Sequence, residues 1–120
     1  MDTSQQIKNL NTIQIASFQQ HLKETLDSGL YADKVEIFQM NVGYKCNLTC
    51  KHCHVNAGPD RQELMSQETL DKCAELLKLY KFPTVDLTGG SPELLPQLGE
   101  FITDISSSVE RIIVRSNLTL

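Results

Sequence analysis

No run in this sequence approaches the roughly 18 apolar residues that a membrane-crossing helix needs. No basic-then-apolar segment opens it either, and Met1 to Gln20 is polar, which argues against a secreted scaffold. Basic blocks are also missing and the formal net charge is −4, so the chain carries no electrostatic footprint for nucleic acid or a membrane surface. Cysteine is scarce, with four residues in all. Without an export signal they do not read as a disulfide framework, and the expected compartment is the reducing cytoplasm. What remains is an ordinary globular composition, 40% hydrophobic and 22% charged, suited to one domain or part of one acting on a small-molecule or locally recognised substrate.

Three of the four cysteines fall within eight residues, Cys46-Asn-Leu-Thr-Cys50-Lys-His-Cys53. Spacings of three and then two residues bring three thiols to one side of a tight loop, where they can hold one metal centre and leave it a protein ligand short. Iron-sulfur clusters are normally held by four thiolates. A missing fourth ligand therefore suggests an iron open to substrate, as catalytic zinc sites keep an open position.

The rest of the chain reads as alternating helices and strands. Met1 to Ile15 has no sustained period and is expected to be an irregular lead-in. Phe18, Leu22 and Leu26 recur every fourth position and predict an amphipathic helix ending near Asp27-Ser28-Gly29, with His21 one position off the stripe and solvated. Val35 to Asn41 predicts a strand covered on both faces. A long loop with the cysteines follows, to about Met65, and long ordered loops at strand ends are usually functional. Ser66 is a plausible N-cap for a helix whose Leu70, Cys73, Ala74, Leu77 and Tyr80 face inward. Thr84 to Thr88 is a second strand running into Gly89-Gly90-Ser91-Pro92-Glu93. Leu98, Phe101, Ile102 and Ile105 form another helical stripe, broken by Ser106-Ser-Ser108. Arg111 to Arg115 is a β-branched strand that leads to Ser116-Asn117.

Strands alternating with helices of this length imply βαβ crossovers and a parallel sheet. Ligands of such sheets sit at the carboxyl ends of the strands. The cysteine loop, Gly89-Gly90 and Ser116-Asn117 all lie there, so they are expected to share one site. Zinc held with His52 or His54, or a four-thiolate electron-transfer cluster closed by Cys73, are the alternatives for the cysteines; the place of Cys73 on an apolar stripe favours a core role. Glu93 either binds or favours the start of the next helix. Asp86, inside a strand, needs a buried hydrogen-bond partner, and Arg115 is suited to pair with it or to face a ligand carboxylate.

With these residues in hand, the chain resembles the radical S-adenosylmethionine (radical SAM) superfamily. Cys46-x3-Cys50-x2-Cys53 matches its cluster motif and Gly89-Gly90-Ser91-Pro92 its glycine-rich motif. More closely, Asn41-Val-Gly-Tyr-Lys-Cys46, Cys53-His-Val-Asn-Ala-Gly-Pro59, Asp86-Leu-Thr-Gly-Gly-Ser-Pro-Glu93 and Ser116-Asn-Leu-Thr119 resemble the radical SAM/Cys-rich subgroup, which includes arsenosugar-biosynthesis enzymes. The resemblance covers roughly Ser17 to Leu120. It implies an enzyme in which Cys46, Cys50 and Cys53 bind a [4Fe–4S] cluster whose open iron chelates S-adenosylmethionine. An electron donor such as flavodoxin or ferredoxin reduces the cluster, and the cofactor is cleaved to methionine and a 5'-deoxyadenosyl radical. Gly89 and Gly90 would meet the methionine amino group, the main chain at His52 the adenine, and Ser91, Ser116 and Asn117 the cofactor more weakly.

The usual acidic residue after the glycine pair is Ser91 here, with Glu93 two positions on. The implied fold is α/β, the N-terminal part of a radical SAM (β/α) partial barrel with parallel strands, preceded by a helix. Residues 1–33 form the lead-in and helix, and 34–120 the first part of the core domain. A full barrel takes about 250 residues, so the chain is expected to be an N-terminal piece, inactive alone, without the subgroup's cysteine-rich tail.

Overall fold

A computed structural model describes residues 3–13, 17–26 and 30–120. The chain divides into two compact units, 1–33 and 34–120. In the first, α1 spans Thr3–Asn11 and α2 spans Phe18–Thr25. Helix α1 replaces the expected irregular lead-in. Its apolar residues Ile7 and Leu10 are too sparse to form a stripe and both are exposed, so local bonds such as Gln5 Nε2 to Asn9 Oδ1 (3.1 Å) support a turn pattern that hydrophobic periodicity does not reveal. Helix α2 begins as expected, with Ser17 Oγ accepting from Gln20 N. Its stripe is not buried, since Phe18 and Leu26 are exposed. The expected stop at Asp27-Ser28-Gly29 lies outside the described residues. His21 is solvated and pairs with Glu24 at 3.8 Å.

The second unit alternates β1 (Ile37–Asn41), α3 (Gln67–Tyr80), β2 (Thr84–Thr88), a 3-10 turn (Pro92–Leu94), α4 (Leu98–Ile105) and β3 (Arg111–Val114). The three strands form a parallel sheet in the order β1-β2-β3. Side chains alternate across it: Met40, Val85 and Leu87 enter the core, while Gln39, Asp86 and Ile113 stand in register on the other face.

Helices α3 and α4 supply Leu70, Ala74, Leu77, Phe101 and Ile105 to the core. Leu77 and Ile105 are fully buried, each worth about 1.5–3 kcal/mol of transfer free energy. Ser66 caps α3 by accepting from Thr69 N at 3.3 Å, and Lys81 ends it in the left-handed conformation, φ 50°. Cys73 packs against the core, where burial pushes its thiol up from the ordinary value. Two expectations change. Tyr80, the last residue of α3, turns outward, and β1 is covered on one face only, with Ile37, and Val35 just before it, more than half exposed.

Candidate metal and cofactor site

Beyond β1 the chain continues in extended form. Val42 donates to Thr88 O (2.9 Å), Tyr44 to Glu63 O (2.9 Å) and Cys46 to Gly58 O (3.1 Å), so segment 42–46 is clamped between β2 and the returning end of its own loop. Arg61 fastens that loop. It donates to Asn56 O at 3.0 Å, lies 4.7 Å from the Tyr44 ring centroid and holds Glu63, whose carboxyl it draws down to about 2.

The glycine pair allows the clamp. A side chain on Gly89, at φ 142°, would place its Cβ 2.6 Å from Gly43 O, and one on Gly90 would run into Lys45 O. Across this gap Gly90 N donates to Gly43 O (2.9 Å) and Ser91 N to Lys45 O (2.9 Å).

The result is a cavity of about 400 Å³ at the carboxyl ends of the strands. Its wall includes Cys46, Cys50, His52 and Cys53 from the first loop, Gly89 and Gly90 from the second, and Ser116 and Asn117 from the third. Glu93 is off this wall, in the first turn of the 3-10 segment, and of the cofactor residues expected from the resemblance Ser91 alone is off it. It is 2% exposed and lies behind Cys46, with its Oγ 3.3 Å from Cys46 Sγ. Cys46 is buried, Cys53 half-buried and Cys50 exposed. Ala57 N donates to Cys53 Sγ at 3.3 Å, and this bond, followed by the backbone of Val55, holds that thiol below its ordinary value.

Among the described residues no three His, Cys, Asp or Glu side chains converge as closely as a single metal ion needs. All three thiols line one cavity, and an iron-sulfur cluster, unlike a single ion, takes each thiolate on its own iron.

Leu48, Ala57 and Thr88, none singled out as a site residue from sequence, also line the cavity, as do His54, the alternative zinc ligand, and Arg115, expected to pair with Asp86 or to face a ligand carboxylate. Arg115 uses Nε and Nη2 to grip the buried Asp86 carboxylate, at 2.9 and 2.7 Å, and Gln39 adds a bond of 2.7 Å. Arg115, with Gln39 in support, holds the Asp86 carboxyl below the usual range. Asn47 and Thr119 complete a polar ring with Ser91 and Asn117. Adjacency to Cys46 and the run Ser116 to Thr119 were the only hints of it.

A family model of the radical SAM superfamily matches residues 40–120. The chain is 30% identical to a probable GTP 3',8-cyclase of Sulfolobus acidocaldarius over 76 residues, which is 63% of this chain and 24% of that protein. It is 29% identical to the antilisterial bacteriocin subtilosin biosynthesis protein AlbA of Bacillus subtilis over 77 residues, 64% of this chain and 17% of that protein. A probable GTP 3',8-cyclase of Sulfurisphaera tokodaii is 28% identical over 75 residues, 62% of this chain and 24% of that protein. No solved structure matches. The chain thus spans about a quarter or less of the length of these relatives. With the cysteine motif, the glycine pair and the end of the third strand all inside the matched region, the chain belongs to the radical SAM superfamily.

Proposed function

We propose that this chain is the cluster- and cofactor-binding part of a radical SAM enzyme that cleaves S-adenosylmethionine reductively. The observation that carries the reading is that Cys46, Cys50 and Cys53 share one cavity wall with residues from the ends of all three strands. The three thiols would hold a [4Fe–4S] cluster. When bound, that cluster supplies the electron that cleaves the cofactor's sulfonium to methionine and a 5'-deoxyadenosyl radical.

The chain's own residues bind and orient. Gly89 and Gly90, which line the cavity, would meet the cofactor's amino group, and the main chain at His52 would meet the adenine. Ser116 and Asn117 form the third side of the cavity. The side-on edge of Arg115 is spent on Asp86, which leaves Nη1 and the end-on edge for a ligand carboxylate. The substrate is a small molecule, of arsenosugar-biosynthesis type by the motif resemblance. A flavodoxin or ferredoxin in the cytoplasm would supply the electron.

Anaerobic reconstitution of the chain tests this. The expected result is about four iron and four sulfide per chain, a visible absorption lost in Cys50→Ala, and a spectrum of the reduced cluster that changes on addition of S-adenosylmethionine. Bound zinc, or a cluster that depends on Cys73 and whose spectrum ignores S-adenosylmethionine, would establish a non-catalytic metal-binding module instead.

A further inference from the structure

Ser91 stands where the resemblance expects a cofactor contact, yet its side chain is sealed from the cavity. Its Oγ has three neighbours: Cys46 Sγ at 3.3 Å, Asn47 Oδ1 at 2.9 Å and Asn117 Nδ2 at 3.1 Å. The direction of each bond follows from counting protons around the ring. Asn117 Nδ2 gives one hydrogen to Asn47 Oδ1 (2.9 Å) and the other to Ser91 Oγ. Asn47 Nδ2 donates to Thr119 Oγ1 (2.8 Å), whose own proton goes to Asn117 Oδ1 (2.7 Å). Every acceptor in the ring is therefore served without the Ser91 proton.

That proton has two destinations, Asn47 Oδ1 at 2.9 Å, whose second lone pair can take it beside the Asn117 bond, and the sulfur of Cys46 at 3.3 Å. A free thiol can give its hydrogen to Ser91 Oγ. A metal-bound cysteine has lost that hydrogen, and the hydroxyl then gains a charge-assisted bond by turning toward the sulfur. The setting strengthens the bond, because Cys46 is 8% exposed while Cys50 is open to solvent. Leu48 N at 3.4 Å and Asn117 Nδ2 at 3.9 Å are further donors to the same sulfur.

We infer that Ser91 is a positioning residue for the cluster: its hydroxyl, which accepts from Asn117 Nδ2, turns its proton from Asn47 Oδ1 to Cys46 Sγ and raises the cluster's reduction potential. Hydrogen bonds to the sulfurs and solvent exposure are the protein's levers on such potentials. A donor at a ligand sulfur favours the more negative reduced state, so its removal makes the cluster harder to reduce. The inference rests on the cluster-binding reading above and concerns one corner of that site.

The test is a redox titration of the reconstituted chain, followed by the electron paramagnetic resonance signal of the reduced cluster. Ser91→Ala is expected to load iron as the unsubstituted chain does and to titrate at a more negative midpoint, with Ser91→Thr returning toward the original value. Loss of iron in Ser91→Ala with full loading in Ser91→Thr would equally assign the hydroxyl to holding Cys46. A fully loaded Ser91→Ala with an unchanged midpoint overturns the inference, as does loss of loading in both variants, since the hydroxyl would then be immaterial. Failure of the unsubstituted chain to take up iron and sulfide would overturn the cluster-binding reading itself, and this inference with it.

Discussion

At Gly90 the site depends on an atom that is not there. A Cβ at this position would overlap Lys45 O, and the overlap is with backbone, which has no flexible end to move aside. Lys45 is the neighbour of Cys46, and its carbonyl accepts from Ser91 N at 2.9 Å, so any displacement falls first on the cysteine loop. Gly99, in α4, offers a control because nothing lies within 4 Å of its added Cβ. Gly90→Ala is expected to abolish or strongly reduce iron uptake while the sheet remains folded. Gly99→Ala should leave uptake unchanged and gain up to about 1 kcal/mol of stability from helix propensity. Iron analysis with circular dichroism decides between them, and full iron loading by Gly90→Ala would mean that the loop can retreat without cost.

Helices and strands of the second unit were legible where burial and period agree. In α3 the apolar residues at helical spacing, Leu70, Ala74 and Leu77, are the buried ones, and Ser66 caps as its chemistry requires. The short β2 was readable from Val85 and Leu87 against the polar Asp86. The edge strand β1 was less so, because Val35 and Ile37 are apolar but exposed, and composition alone cannot distinguish a covered face from an open one. For the site, the cysteines and glycines were legible because each has a chemical or steric reason at a fixed spacing. The ring of Asn47, Ser91, Asn117 and Thr119 was not, since side chains 26 to 72 residues apart meet only once the sheet has formed.

The Arg61–Glu63 fastening of the cysteine loop was illegible for a different reason, because two opposite charges two residues apart are common on any surface. Here Glu63 takes bonds from Arg61 Nε (3.0 Å) and Nη2 (2.7 Å) and from Gln62 N (3.0 Å), which lowers its carboxyl from 4.5 to about 2. Since the folded value is the lower one, this fastening is fully present above about pH 4.5 and is lost as the pH falls toward 2. An NMR titration should find the Glu63 carboxyl still ionised at pH 3 and, in Arg61→Met, a midpoint raised from about 2 toward 4.5. A midpoint near 4.5 in the unsubstituted chain would mean that Arg61 does not hold the loop in solution. As an exposed pair it contributes little to global stability, so the effect belongs to the loop.

For the whole molecule, the division into units 1–33 and 34–120 bears on where cluster binding resides. Every residue of the core, from Phe38 to Ile112, lies in the second unit, and so does every residue of the cavity wall, from Cys46 to Asn117. Within the first unit, neither α1 nor α2 buries a residue. A chain reduced to residues 34–120 thus retains the sheet, both packed helices and all three strand-end loops. It also keeps an open sheet face bearing Ile37 and Ile113, and two unpaired strand edges at β1 and β3. Removal of 1–33 is therefore expected to leave iron and sulfide uptake per chain unchanged, with association on concentration set by the open face and edges. Metal analysis and light scattering on the shortened chain check both points. A loss of cluster uptake on shortening, with the circular dichroism of the second unit intact, would assign the N-terminal helices a direct part in the site.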